Sequence, residues 1–379
     1  MTEETFVREL ERRADHAFGG APGAPLTFDD VRGRARSIQR RRRGAVAGAV
    51  AAVVALAVLV PTVLAGGSDR SQGVDPAPEP SVASGASVLH DGTLTLPDGT
   101  TVTLDVDNAD LHQLGVLADG RIVVPTNQPS RLRVFAPDGT PAAELPIGAT
   151  LIRMSPDGDA VAWMEGDGSV MVLRSGSPDP VELGAVEAQD PYYPMIDAVV
   201  DAEHVLVGDG NTTTTEVTSE GVRPLSTSEP LRVTDVSPDG DLWAVQYADD
   251  ADPQFGCVGL YEPEAAEMVA RNCESSGLRF SPDGEHLLGG RGDNGMLGDA
   301  TVFDRDLDVV GRWESEGRGD VLKSVAWADA DRLLVSETNW KTSSWTLARV
   351  DLTWSDREVL DGLEGGGNPE MMSEFLLSD

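Results

Sequence analysis

One tetrapeptide, Ser-Pro-Asp-Gly, stands at 155–158, 237–240 and 281–284, each time followed by an apolar run: "SPDGDAVAWM", "SPDGDLWAVQY", "SPDGEHLLGG". Worn copies occur in "LADGRIVVP" (117–125), "VVDAEHVLVG" (199–208) and "WADADRLLVSE" (327–337). Serine and proline survive in only some copies, whereas the aspartate is in all six: Asp119, Asp157, Asp201, Asp239, Asp283 and Asp329. Successive copies lie 38 to 46 residues apart. Repeats of about 40–45 residues, each holding four short strands, are the mark of a β-propeller blade. A polar, glycine-ended motif between two apolar runs is first a corner of the chain. Proline presets φ, aspartate accepts nearby backbone N–H groups, and glycine takes the left-handed conformation that ends a three-residue hairpin loop.

Within each unit an apolar strand precedes the motif, another follows it, and two more complete the set. "RLRVF" and "PAAEL", joined by "APDGT" (136–140), are the third and fourth strands of the first full unit. "LPDGT" at 96–100 plays the same hairpin role. Three strands before the first copy, "SVLH", "TLTL" and "TVTLDV", therefore lack an inner partner. The chain ends in "EMMSEFLLSD" (370–379), which offers one apolar strand and then stops. We expect this last strand and the first three to form a seventh blade, so that residues 88–379 divide into seven units of about 42. The expected fold is all-β, a seven-bladed propeller closed by its two ends, with six blades and a loose hairpin as the alternative.

The SPDG-then-apolar pattern resembles the bacterial TolB-type and Trp-Asp-like propeller repeats over about 88–361. "VAWADADRLLV" (325–335) looks like a worn copy of the same consensus. The pattern departs from eukaryotic Trp-Asp repeats, having neither the Trp-Asp dipeptide nor the matching Gly-His.

Ahead of the repeats the composition changes twice. "GAVAGAVAAVVALAVLVPTVLAG" (44–66) carries no charge and would be roughly 34 Å long as a helix, enough to span a bilayer core. Seven of the arginines lie between 32 and 43, ending in Arg40, Arg41, Arg42 and Arg43. The positive-inside rule then places the N-terminus in the cytoplasm and the repeats outside it. A cleaved signal peptide is the competitor, but 43 residues ahead of the apolar run is far longer than an ordinary n-region. Within 1–43, Phe6, Leu10 and Ala14 suggest one short amphipathic helix and Phe28, Val31, Ala35 and Ile38 a second. Residues 67–87 are rich in Pro, Ser and Gly and read as a linker. "FDDVRGRARSIQRRRR" followed by an Ala/Val-rich span resembles the front end of single-pass actinobacterial membrane proteins. Some of those are regarded as partners of extracytoplasmic-function sigma factors. The histidine-and-cysteine-pair zinc motif of such partners is missing, since His16 stands alone.

The chain carries 29 basic and 64 acidic residues, and because residues 1–43 hold ten arginines against seven acidic residues, the whole of the excess lies beyond the apolar run. So acidic a region repels nucleic acid and anionic lipid surfaces. The partners to expect are therefore the membrane through the anchor, an extracytoplasmic protein or envelope ligand, and a cytoplasmic protein such as a sigma factor.

Residues with chemical potential are scattered. His16, His90, His112, His204 and His286 form no cluster, and His204 and His286 fall just after turns, where a solvent-edge position is expected. No Gly-x-Ser-x-Gly and no His-Glu-x-x-His occurs. Asp304, Asp306 and Asp308 have calcium-loop spacing but lack the loop's glycine and terminal glutamate, so an exposed turn is the better reading. The Arg-Gly-Asp at 291–293 follows "LLGG" and reads as a chance loop tripeptide. Cys257 and Cys273 flank two strands around "EPEA". If 262 pairs with 268, then 257 faces 273, and an oxidising compartment would permit a cross-strand disulfide. Two buried thiols are the other possibility. The sequence names no catalytic residue, metal ligand or cofactor. It points to a binding or sensing module, with a propeller hydrolase or lactonase acting at the ring axis as the alternative.

Overall fold

The computed structural model describes residues 85–378 except 107–110, 112, 128–129, 149–150, 188–194, 210–212, 228, 249–255, 291–298, 315–318, 340 and 364–373. The expected cytoplasmic helices, the apolar span and residues 67–84 of the expected linker therefore lie outside the described residues, as do His16, His112, Arg40–Arg43 and the Arg-Gly-Asp. The last three residues of that linker, 85–87, belong instead to the propeller, with Ala86 buried between blades 7 and 1 and Ser87 bonded to Ser378. Among the described residues no helix is long and apolar enough to cross a membrane.

Seven four-stranded antiparallel sheets make up the described chain. Blade 1 uses both ends: β28 (Leu376–Leu377) pairs with β1 (Val88–His90), followed by β2 (Thr93–Thr95) and β3 (Thr101–Thr103). Blade 2 runs β4 (Gly115–Val116), β5 (Ile122–Asn127), β6 (Ser130–Phe135), β7 (Pro141–Pro146). Blade 3 runs β8 (Ile152–Met154), β9 (Ala160–Met164), β10 (Ser169–Arg174), β11 (Val181–Ala185). Blade 4 is β12 (Met195–Asp201), β13 (His204–Gly208), β14 (Thr214–Thr218), β15 (Gly221–Pro224). Blade 5 is β16 (Leu231–Val236), β17 (Trp243–Tyr247), β18 (Cys257–Glu262), β19 (Glu267–Asn272). Blade 6 is β20 (Ser276–Phe280), β21 (His286–Gly290), β22 (Asp299–Asp304), β23 (Val309–Glu314). Blade 7 is β24 (Asp320–Trp327), β25 (Arg332–Asn339), β26 (Ser344–Asp351), β27 (Arg357–Leu363). The fold is a seven-bladed propeller, and the six-bladed alternative is set aside.

Burial grades outward along each blade. Second strands such as β9 are buried at every position, while fourth strands such as β15 are exposed throughout. First strands pack beside first strands of the next sheet, β8 against β12, β12 against β16, β16 against β20. The first strands therefore surround the axis. The core is not one mass but seven layers, each shared by two neighbouring blades. Between blades 5 and 6, for example, Leu242, Leu260 and Val258 meet Leu278, Phe280 and Phe303. Burying one such side chain stabilises by about 1.5–3 kcal/mol. Because each layer needs both sheets, no blade can bury its faces alone.

The layer between blades 7 and 1 depends on the C-terminus. Phe375 and Leu377 join Trp345, Leu347 and Ala86 there. Val88 pairs with Leu377 and Leu89 with Leu376. The His90 ring lies 4.8 Å from that of Phe375, and its Nδ1 bonds the Glu374 carbonyl at 3.0 Å.

Candidate functional site at the ring axis

All six repeat aspartates perform the same local task. Each accepts, through Oδ1, the backbone N–H two residues on: Arg121 at 3.1 Å, Asp159 at 3.0 Å, Glu203 at 2.7 Å, Asp241 at 3.3 Å, Glu285 at 3.1 Å and Asp331 at 2.9 Å. In the three SPDG copies a serine adds a second link. Ser155, Ser237 and Ser281 donate their hydroxyls to Asp157, Asp239 and Asp283 at 2.6 Å. The same oxygens accept the N–H of Ala160, Leu242 and His286 at 2.9 Å. These hydroxyls are buried.

This relay corrects the expected loop length. The SPDG loops enclose four residues, as in Ser155 N–H to the Ala160 carbonyl, whereas the serine-less copy at Leu117–Arg121 encloses three. The extra residue is accommodated because the serine oxygen takes the N–H that a ladder carbonyl would otherwise hold. Asp119 does more than its relatives: its Oδ2 accepts Arg121 Nε at 2.7 Å and the Gly176 N–H of blade 3 at 2.6 Å. Burial pushes its carboxyl up, yet the bonds from Gly176 and Arg121 outweigh that and hold its pKa below the ordinary value. The repeat aspartates shape corners and bring no set of ligands together.

Cys257 and Cys273 are bonded to each other, with Cα atoms 4.3 Å apart. The strand register differs from the expected one at the hairpin end, where Glu262 faces Glu267 rather than 268. A bulge between Leu260 and Tyr261 absorbs one residue, so Val258 still faces Asn272 and the cysteines meet. Asp304 accepts the N–H groups of Asp306 (3.0 Å) and Asp308 (2.9 Å), which makes it a turn organiser.

His204 and His286 are not at the solvent edge. Both are partly buried, because each opens the second strand of its blade, whose following residues are covered by the neighbouring sheets. The His204 ring lies edge-on to Trp243 at 6.2 Å, with Nε2 3.5 Å from Glu216 Oε1. Burial lowers the His204 pKa, with the Glu216 charge opposing. Glu216 is also held by Arg223 Nε at 2.6 Å. Glu216 and Arg223, with Trp243 and Tyr261, line a cleft of about 300 Å³ between blades 4 and 5. The cleft offers an aromatic floor, and its carboxylate is already matched.

The densest charge lies on the first strands, in residues the sequence reading did not single out. Arg153 on β8, Asp197 on β12, Arg232 and Asp235 on β16, and Arg279 on β20 form a belt from blade to blade. Ile152 N–H donates to Gln113 Oε1 at 2.7 Å, and Arg153 Nε to the Asp197 carbonyl at 3.2 Å. Arg232 grips Asp197 with two nitrogens, Nε to Oδ2 at 2.9 Å and Nη2 to Oδ1. Phe280 N–H donates to Asp235 Oδ2 at 2.7 Å, and Arg279 Nη2 to the Val325 carbonyl at 3.3 Å. Just before β1, Ala86 N–H donates to the Trp327 carbonyl of blade 7 at 2.6 Å. Gly208 makes room for the central pair, since a Cβ there would lie 1.8 Å from Asp197 Oδ2.

The electrostatics of the belt are those of charges removed from water. Burial raises the pKa of Asp197, with Arg232 and Arg153 opposing, while the bond to Asp197 raises that of Arg232. Burial lifts the Asp235 carboxyl to about 6, against hydrogen bonds from Phe280 and Val236. Burial lowers the Arg279 pKa, the nearby Arg153 charge lowers it further, and Asp235 opposes. The chemistry on offer is that of guanidiniums outnumbering carboxylates within an acidic ring. Among the described residues no three His, Cys, Asp or Glu are placed to hold a metal ion. The signal was present in the sequence: Arg153, Asp235 and Arg279 each interrupt an apolar first strand two residues before a repeat serine.

No family model matches the chain, and no curated protein matches it. Among solved structures, the β-propeller domain of Cps50 (Swd1) from Myceliophteria thermophila is similar at a TM-score of 0.51 and 11% identity, covering 73% of this chain and 89% of that one. A putative TolB from Agrobacterium tumefaciens is similar at a TM-score of 0.40 and 17% identity, covering 63% of this chain and 92% of that one. At such identities likeness speaks for architecture only. By its own strand order and by the first of these likenesses, residues 85–378 are a seven-bladed β-propeller.

Proposed function

We propose that this chain is a membrane-anchored, extracytoplasmic propeller that binds or senses a protein or envelope component. In this reading residues 1–43 remain in the cytoplasm and relay to a partner there, for which a sigma factor is the class to test. The observation that carries the binding role is the engagement of the axial carboxylates. Asp197 is held bidentately by Arg232, and Asp235 receives the Phe280 N–H. A hydrolase needs a carboxylate or imidazole free to take a proton. Here both carboxylates are engaged in bridging neighbouring blades, an arrangement that supports recognition over proton transfer.

One feature favours the enzymatic alternative, namely the Asp235 carboxyl with its pKa near 6, a value suited to a general base. One experiment separates the two readings. Photo-crosslinking in intact cells, with the probe placed on first-strand positions and followed by mass spectrometry, should recover one dominant envelope partner. Turnover of ester, lactone or glycoside substrates that is abolished by Asp235→Asn would favour the enzyme. Topology is tested by adding protease to intact spheroplasts: the propeller should be degraded while a tag on residues 1–43 survives. Protection of the propeller would refute the anchored arrangement.

A further inference from the structure

The chain has only two lysines, Lys323 and Lys341, against 64 acidic residues. Lys341 is exposed near a turn, whereas Lys323 is partly buried on β24, the first strand of blade 7. Among the described residues no hydrogen bond or ion pair reaches its ammonium, and burial alone lowers its pKa. In so acidic a ring a lysine without a carboxylate is unexpected, because pairing offsets desolvation of the charge.

Its neighbour repeats the pattern. Ser324 Oγ is buried and has no partner among the described residues, although buried hydroxyls are ordinarily satisfied. Both residues sit where β24 departs from its ladder with β25. The register shifts between Leu322 and Ser324, leaving Lys323 as the inserted residue. Such bulges re-aim side chains and concentrate beside functional sites. From blade 6, Arg279 Nη2 reaches the Val325 carbonyl two residues further along, bringing a guanidinium against the same stretch.

We propose that Lys323 and Ser324, flanked by Arg279, form an axial site for an oxyanion, a carboxylate or phosphate group of the ligand. One oxygen would take the ammonium protons and another the serine hydroxyl, satisfying both donors at once. The proposal rests on the binding-module reading and specifies its ligand as bearing an anionic group. The surrounding negative field would exclude polyanions such as nucleic acid while the local cations admit a single anionic head.

The test uses the scarcity of lysine. Full-length protein in nanodiscs is treated with a limiting amine-acetylating reagent, with inorganic phosphate or acetate added at increasing concentration, and both lysines are quantified by peptide mass spectrometry. Phosphate, acetate or both should slow acetylation of Lys323 at least five-fold and leave Lys341 unchanged, and the more effective anion identifies the ligand group. Ser324→Ala should shift the protecting concentration upward about ten-fold, while Ser324→Thr, which keeps the hydroxyl, should restore it. Equal protection of both lysines, or none, would overturn the site in the wild-type protein without any variant. Recovery of a crosslinked partner despite that result would leave the binding module standing and remove only its anionic ligand.

Discussion

Ser87 donates its backbone N–H to Ser378 Oγ at 2.6 Å, and Ser378 returns its own N–H to the Ser87 carbonyl at 2.9 Å. The two serines are 291 residues apart in the chain. Their exchange closes the ring by joining an N-terminal strand to a C-terminal one, so that the layer between blades 7 and 1 depends on a short terminal strand.

Phe375→Ala should therefore be disproportionately harmful. It empties the layer between blades 7 and 1, where Phe375 is 1% exposed, and should cost about 3–5 kcal/mol. Urea unfolding monitored by tryptophan fluorescence measures this. A loss below about 1 kcal/mol would show that the closure contributes little.

The serine relay predicts a contrast between repeats. Ser237→Ala leaves the Leu242 N–H without its partner inside a buried turn and should cost about 1–3 kcal/mol. Asp241→Ala, in the same loop but exposed, should stay within about 0.5 kcal/mol. Equal effects in thermal melts would contradict the relay.

Asp235 gives stability a pH dependence of unusual sign. Its carboxyl titrates near 6 in the folded protein and at 3.8 when unperturbed, so the folded state holds a proton that the unfolded state has released between those values. Its contribution is fully present below 3.8, declines as pH rises, and is gone above about 6. Relative to Asp235→Asn, the wild type should lose about 2–3 kcal/mol between about pH 4 and pH 7. Parallel stability curves for the two proteins would place the carboxyl elsewhere.

Gly208→Ala tests the central ion pair without touching either charge. The new methyl would displace the Asp197 carboxylate from Arg232, leaving a buried charge uncompensated at a cost of about 3 kcal/mol or more. The double variant Gly208→Ala, Asp197→Ala should recover part of that loss. If it is no more stable than Gly208→Ala alone, the close approach is not what fixes the glycine.

The Cys257–Cys273 bond spans a separation of 16 residues, for which a crosslink contributes about 3 kcal/mol. Unreduced, denatured protein should take up no alkylating reagent, and reduction should lower the melting temperature. Two alkylated cysteines before reduction would show free thiols.

The repeat period, the corner aspartates and the missing inner strand of blade 1 were legible in the sequence, because they rest on turn chemistry and alternation within a few residues of each other. Even the cysteine register could be read there, although a bulge at Leu260 and Tyr261 altered the count on the hairpin side. What only the tertiary structure decided was the axis. Arg153, Asp197, Arg232, Asp235 and Arg279 lie on four successive blades, 3 to 6, and meet only when neighbouring blades pack side by side. The sequence marks each as a charge breaking an apolar strand, but their pairing is set by contacts about 40 residues apart in the chain. Local hydrogen bonds follow from neighbouring residues. The field that a buried charge feels follows from which distant charges the fold brings beside it, and that is why blade corners could be read from the sequence while the belt, the cleft at Trp243 and the setting of Lys323 at its bulge could not.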